Sequence, residues 1–419
     1  MALDFVKEMV EARRCLHKRP EEGWTEFETT WFIVRRLKAL GLQVTIGKAN
    51  ICESEVLGRD PVLVSDAMKR AAAHGVPEDF LKATEGYTGA VARFDTGRPG
   101  PTTAFRSDID CVLVRETDNP EHLPNKLGFA SERPGFMHAC GHDGHTAVGL
   151  AVAHWLVMNK DRLCGRFILI FQPAEEGVRG ARAMAASGLV DHVDYFLGGH
   201  VGGDAKLGEI AVMDGGFLAS TKFDVSIEGT PAHAGNSPEL GHSALMAACA
   251  ASLMIQGIPR NSHGETRVSV GKLEAGEGRN VIPAHAKLQM EVRGETMAVN
   301  QFMADYVYDI FAGVDKAYRV KSTVTKAGES ETLMPCPEIY PLLEKGTQLL
   351  PRVHSGAGSE DCALFIRRVI EHGGKAGFVL YGCNHHGHHR PDFEIQDETS
   401  LPIAFRIFTG FAEEVNGLK

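Results

Sequence analysis

Ten residues, Phe136 to His145 (FMHACGHDGH), gather three imidazoles, one thiol and one carboxylate, with Cys140 and His142 only two positions apart. Neutral imidazole and thiolate suit borderline first-row divalent ions, and nearby carboxylates widen the choice toward manganese. Four more candidates follow: Glu175-Glu176 in FQPAEEG, His200 in GGHVGG, His233 in GTPAHAG, and the cluster His385, His386, His388 and His389. Two adjacent carboxylates can divide labour. One bound to a cation keeps little basicity, while its neighbour can accept a proton from an attacking water. Each feature alone has a plainer account: a solvated Glu-Glu turn, a buried small cysteine, a tight Gly-Gly turn, a histidine-rich loop that scavenges metal. Five such features in one chain favour a metal site.

These side chains need elements to hold them. Strand-like GAVARFD, TTAFRSDID, RFILIFQP and VDYFLGGH alternate with helix-like HTAVGLAVAHWLVMN and GARAMAASGLV, which predicts an α/β sheet with helices on its faces. Ligands in such sheets collect beyond the carboxyl ends of strands. Asp110 after FRSDI, Glu175 and Glu176 after FILIFQP, and His200 after DYFLGG all obey that rule. Apolar residues at helical spacing run from Phe5 to Leu40 and stop at Gly41, with a short strand near residues 42–46. Residues 54–84 read as a polar insertion carrying two helices. From about Leu218 the pattern becomes strand, helix, strand, strand, helix, strand, the order of a ferredoxin-like α+β domain. The sheet-and-helix pattern resumes near Ile339. The expected organisation is a first domain in two pieces, 1–217 and 329–419, with residues 218–328 inserted.

A chain of 419 residues exceeds the roughly 250–300 at which single cores stop growing, so two cores are expected. The formal charge of −10 opposes non-specific nucleic-acid binding, which rests on cationic neutralisation of phosphate. Nine cysteines, an odd number without regular spacing, do not describe a disulfide scaffold. No run approaches the roughly 20 apolar residues of a membrane span, and the N-terminal residues lack a signal-peptide core. A soluble, cytoplasmic protein without nucleic-acid or membrane partners is expected.

HACGHDGH, QPAEEG, a GGH after a strand, PAHAG, RNVIP, GSED and a final HxPxF pattern follow one another in the order seen in the M20 metallopeptidase superfamily. The chain resembles its amidohydrolase branch over nearly its whole length. That resemblance implies a mixed-sheet metallopeptidase domain with an inserted lid or dimerisation domain. It implies two divalent ions, manganese or zinc, bridged by Cys140 and held by His142, Glu176, His200 and His389. His389 is preferred to His388 because His389-Arg-Pro-Asp-Phe393 fits HxPxF. Glu175 matches the general base and acid, His233 the residue that polarises the scissile carbonyl, and Asn280 an amide near the substrate. Arg293, with Arg279 as a weaker candidate, would bind a substrate carboxylate, although a surface ion pair explains either equally well. The implied reaction is amide hydrolysis of a small N-acyl amino acid, with p-aminobenzoyl-glutamate favoured. The alternatives are a broader dipeptidase and a non-catalytic metal-binding subunit. The implied assembly is a homodimer or a heteromer with a homologous B subunit. One departure stands out: relatives carry ALP after the acidic pair of the second strand, whereas this chain reads RSDIDCVLV, with Cys111 there and the role of Asp110 open.

Overall fold

A computed structural model describes residues 4–344, 349–353 and 358–418. The chain divides into two compact units. One comprises Gly216–Thr332 with a short piece ending at Glu360; the other comprises the flanking chain, up to Gly215 and from Leu333 onward. The inserted unit thus begins two residues before, and ends four residues after, the 218–328 expected from the pattern.

In the larger unit, the strands in chain order are β1 (Gln43–Ile46), β2 (Ala90–Asp95), β3 (Thr102–Asp108), β4 (Arg166–Gln172), β5 (Tyr195–Val201) and β6 (Ile210–Met213). In the inserted unit they are β7 (Ala219–Glu228), β8 (Thr266–Ala275), β9 (His285–Gly294) and β10 (Lys321–Ser330); β11 (Leu349–Val353) and β12 (Lys375–Tyr381) return to the first. The eight-stranded sheet runs β1-β2-β4-β3-β5-β12-β6-β11. Its centre is parallel (β4, β3, β5, β12), while β1, β2 and the β12–β6 pair are antiparallel, so the sheet is mixed. Parallel strands covered on both faces must be apolar along their length, and RFILIFQ of β4 meets that demand. Consecutive glycines of β5 show the two covers. A Cβ at Gly198 would meet Cys362 of the Cys362–Glu371 helix, and one at Gly199 would meet Phe408 of the Asp397–Asn416 helix.

The helix His142–Met158 is apolar on all sides and buried over most of its length, as a helix packed between the sheet and two other helices must be. The opening apolar spacing resolves into two helices, Phe5–His17 and Phe27–Ala39, with Pro20 in the break between them. The insertion forms the expected pair, Pro61–Ala73 and Glu78–Ala83, the first capped by Asp60 with Pro61 at its first position. Strands β6, β11 and β12 are too short or too uniformly apolar to stand out in the sequence.

The inserted unit is antiparallel in the order β10-β7-β9-β8, with helices Ala244–Gln256 and Met297–Tyr318 against it. Phe223, Val225 and Ile227 alternate inward from β7 onto Ala247, Ala251, Met303 and Val307.

Candidate metal centre

The carboxyl ends of β3, β4 and β5 and the first turn of the His142–Met158 helix converge in the larger unit. Gly141 makes the convergence possible: its φ is +92°, and a Cβ there would lie 2.3 Å from Val201 Cγ1. Gly202, at φ +83°, leaves space in which a Cβ would stand 2.7 Å from His385 Nε2 and 3.1 Å from His388 Nε2. Close approach is therefore the reason for the glycines around His200.

Among the described residues, four sets of three side chains have ligand atoms within 4.8 Å of one another, and two of them contain Cys140: Cys140, His142 and Glu176, and Cys140, His200 and His388. They share only Cys140. One thiol common to two such sets fits a pair of divalent ions that these side chains would hold. Cys140 Sγ lies 3.4 Å from His200 Nε2, and His200 Nδ1 donates to Val201 O at 2.7 Å, leaving Nε2 as the acceptor that faces the thiol.

His142 gives the clearest test of fit. Its Nδ1 bonds Asp110 Oδ1 at 3.2 Å, whereas its buried Nε2 has no hydrogen-bond partner and lies 3.9 Å from Glu175 and 4.0 Å from Glu176. A buried nitrogen aimed between two carboxylates without a bond calls for a cation. The electrostatics agree. Burial opposes charge on His142, but Asp108, Asp110 and Glu176 outweigh it and carry the ring up to about 10. Burial, reinforced by Glu176 and Glu175, pushes the Cys140 thiol well above its ordinary range. A divalent ion would relieve this anionic surplus and release the protons from ligand atoms. Burial, then His145 and His388, holds His200 well below its usual value, so it stays neutral and able to ligate.

His145 is close to both His142 and His200 but is engaged elsewhere. Its Nδ1 contacts Asp108 Oδ1 at 2.5 Å, and its Nε2 accepts the Val201 amide at 3.0 Å. Asp108 in turn accepts from Arg106 at 2.6 Å, and Arg106 reaches Gln172 and Asp361. This buried chain fixes the ends of β3, β4 and β5 relative to one another.

The tail histidines part company at His389, whose φ is +60°. His389 Nε2 lies 3.1 Å from Glu176 Oε1, and His388 Nε2 donates to Val201 O at 3.1 Å on the His200 side. Sequence spacing singled out one of the pair; the fold brings both to the centre. Asp108 and His388 join the centre beyond the residues expected from sequence, and the strand-end rule that marks Asp110 extends to Asp108. Asp110 is buried and bonds His142, Glu175 N and Glu176 N.

His233 and Asn280 belong to the inserted unit, where Ala234 N donates to Asn280 O at 3.1 Å. His233 Nδ1 accepts the amides of Gly235 and Asn236, both at 3.1 Å, so its proton sits on Nε2 and faces outward as a donor. Arg293 is engaged in two bonds to Glu291, at 2.9 and 3.2 Å, whereas Arg279 is exposed.

Residues 104–414 match the model of peptidase family M20/M25/M40. A homolog of one p-aminobenzoyl-glutamate hydrolase subunit, from Haemophilus influenzae, is 43% identical over 423 residues, 99% of this chain and 100% of that protein. An indole-3-acetyl-aspartic acid hydrolase of Enterobacter agglomerans is 42% identical over 96% of this chain and 94% of its own length. The crystal structure of an aminobenzoyl-glutamate utilization protein from Klebsiella pneumoniae superposes with a TM-score of 0.81 at 36% identity, covering 98% of this chain and 95% of that one. With the sheet, the carboxylate pair and the thiol-centred cluster in place, the chain belongs to peptidase family M20/M25/M40 and is a hydrolase acting on amide bonds.

Proposed function

We propose that this protein hydrolyses the amide of small N-acyl amino acids whose amino acid is acidic, with p-aminobenzoyl-glutamate the favoured substrate. The observation that carries the reading is the pair of three-residue clusters sharing Cys140, beside a second buried glutamate, Glu175. Cys140, His142, Glu176, His200 and His389, with His388 added on the His200 side, would hold two divalent ions, manganese or zinc. When bound, such ions supply Lewis acidity and lower the pKa of water. Glu175 accepts the proton of the attacking water and returns it to the leaving nitrogen. We assign His233, through its outward Nε2–H, the donor to the developing oxyanion, and Asn280 a neutral contact to substrate. The similarity to an indole-3-acetyl-aspartic acid hydrolase supports a second reading, an arylacetyl-aspartate as substrate. Both readings join an aromatic acyl group to a dicarboxylic amino acid.

Similarity to a protein named as one subunit of a hydrolase supports a heteromer with a homologous B subunit, with a homodimer the alternative. All nine cysteines are free, which suits the reducing cytoplasm, and no described helix is long and apolar enough to cross a membrane. The test is p-aminobenzoate release from p-aminobenzoyl-glutamate by the chain reconstituted with manganese or zinc, with indole-3-acetyl-aspartate in parallel. Glu175→Gln should bind metal normally and lose about 10²- to 10⁴-fold in turnover. Equal turnover by wild type and Glu175→Gln would remove the assigned base; turnover without metal would remove the two-ion reading.

A further inference from the structure

The turn that carries Glu175 and Glu176 is pinned from behind by two buried carboxylates. After β4 the chain passes Pro173 and enters Ala174 at φ +52°, a left-handed conformation that non-glycine residues rarely adopt and that persists only where surroundings enforce it. Three successive amides then donate to these two carboxylates. Ala174 N donates to Glu26 Oε1 at 2.8 Å, Glu175 N to Asp110 Oδ1 at 3.1 Å, and Glu176 N to Asp110 Oδ2 at 3.0 Å. Successive amides aimed at anions form a nest. The carbonyl of Ala174 is fixed as well, accepting from Arg179 N at 3.1 Å and Gly180 N at 2.8 Å.

Asp110 also touches His142, so metal binding accounts for its presence. Glu26 has no such excuse. It is fully buried, its other oxygen accepts from Thr88 Oγ1 at 2.6 Å, and it takes part in no ion pair among the described residues. An acidic side chain buried away from any cation is costly. Burial, with the charge of Asp110 next, raises its carboxyl to about 8. The surroundings hold it in place regardless. Arg70 of the 54–84 insertion bonds Glu21 Oε1 at 2.8 Å and Thr25 O at 3.3 Å, and Glu21 Oε2 accepts Thr29 N at 2.8 Å, which fastens the segment on either side of Glu26.

We propose that Glu26 is a positioning residue for the general base: through the Ala174 amide it enforces the left-handed turn that aims Glu175, and the 54–84 insertion secures it through Arg70. The inference rests on the reading of Glu175 as the base. Its chemistry needs an acceptor of the right reach, not a negative charge. A Gln side chain retains the oxygen for Ala174 N and can donate to Thr88, whereas Asp keeps the charge and falls one methylene short.

The experiment compares Glu26→Gln, Glu26→Asp and Glu26→Ala with wild type and Glu175→Gln in the metal-reconstituted chain. It measures kcat, KM, metal content and amide exchange of the peptide spanning 172–180. Glu26→Asp and Glu26→Ala should lose about tenfold or more in kcat, within the roughly 10²-fold that an ångström of misplacement costs, with KM and metal content kept. Exchange over 172–180 should rise in both, and Glu26→Gln should restore rate and protection. If Glu26→Ala does not fold, the Asp and Gln pair decides alone. Unchanged exchange in Glu26→Asp, or a Gln variant as impaired as the Asp variant, overturns the proposal. A fully active Glu175→Gln overturns the assignment of the base instead, and the exchange data still report whether Glu26 holds the turn.

Discussion

At the scale of single residues, the centre is defined by which ring nitrogens remain available. His142 keeps a buried Nε2 without a bond, His200 keeps Nε2 toward the thiol, and His145 has spent both nitrogens on Asp108 and Val201. His142 and His145 look equivalent in the Phe136–His145 motif, and their hydrogen-bond partners tell them apart. The same logic reorders the two arginines expected to bind a substrate carboxylate. Arg293 bonds Glu291 through two nitrogens, while Arg279 is exposed with no ion pair among the described residues and adjoins Asn280. A substrate carboxylate would have to displace Glu291 from Arg293 but meets no competitor at Arg279. Arg279→Ala should therefore raise KM for p-aminobenzoyl-glutamate about tenfold, a loss within the range of a hydrogen bond to a charged group, and Arg293→Ala should raise it less. Steady-state kinetics on the two variants decide the order, and a larger KM effect at Arg293 reverses it.

At the scale of elements, the first helix is bound to the His142–Met158 helix by charge. Arg13, fully buried on Phe5–His17, bonds Asp143 at 2.9 Å, Glu394 at 2.8 Å and Asp397 at 3.3 Å, joining that helix to the residue after His142 and to the tail beyond His389. One turn later His17 has carboxylates on both ring nitrogens, Asp143 at 2.7 Å and Glu116 at 3.1 Å, so both nitrogens donate and the ring is an imidazolium. Burial opposes that charge, but the bonds to Asp143 and Glu116 prevail and raise His17 to about 9. A folded value above the unfolded one of roughly 6.5 means a contribution complete below pH 6.5 and lost as pH rises through 9, on the order of 3 kcal/mol. The stability gap between wild type and His17→Gln, from urea unfolding, should shrink from pH 6.5 to pH 9.5; a constant gap contradicts the charged ring. None of this was legible in the sequence, where Arg13 and His17 sit in an ordinary amphipathic stretch. The strand ends that carry Asp110, Glu175 and His200 were legible, because buried parallel strands leave long apolar runs and ligands gather at their carboxyl ends. Partners distant in sequence, such as Glu26 with Ala174 or Asp108 with His145, leave no local pattern to read.

At the scale of the whole molecule, the two sets that share Cys140, and His389 beside them, lie in the larger unit but on both sides of the insertion. Cys140, His142, Glu176 and His200 precede Gly216, and His388 and His389 follow Thr332. Ions held by both sets would tie together two lengths of chain that the sequence keeps far apart, while the β7–β10 unit has its own core of Phe223, Val225, Ile227, Met303 and Val307 and contributes no residue to either cluster. Ligands that bind only the native state stabilise it by RT ln(1 + [L]/Kd), about 2.7 kcal/mol at a hundredfold excess over Kd. That stabilisation belongs to the unit that holds the ligands. Adding manganese or zinc to chelator-treated protein should slow amide exchange in peptides covering 138–145, 172–180, 198–202 and 385–393, and leave those of β7, β8, β9 and β10 nearly unchanged. His388→Gln and His389→Gln should each weaken the effect, because His388 belongs to the set with Cys140 and His200 while His389 Nε2 lies 3.1 Å from Glu176 of the other set. Slowing confined to 138–145 and 172–180 would reduce the centre to one ion, and equal slowing in both units would mean that metal acts on the fold by a route other than these side chains.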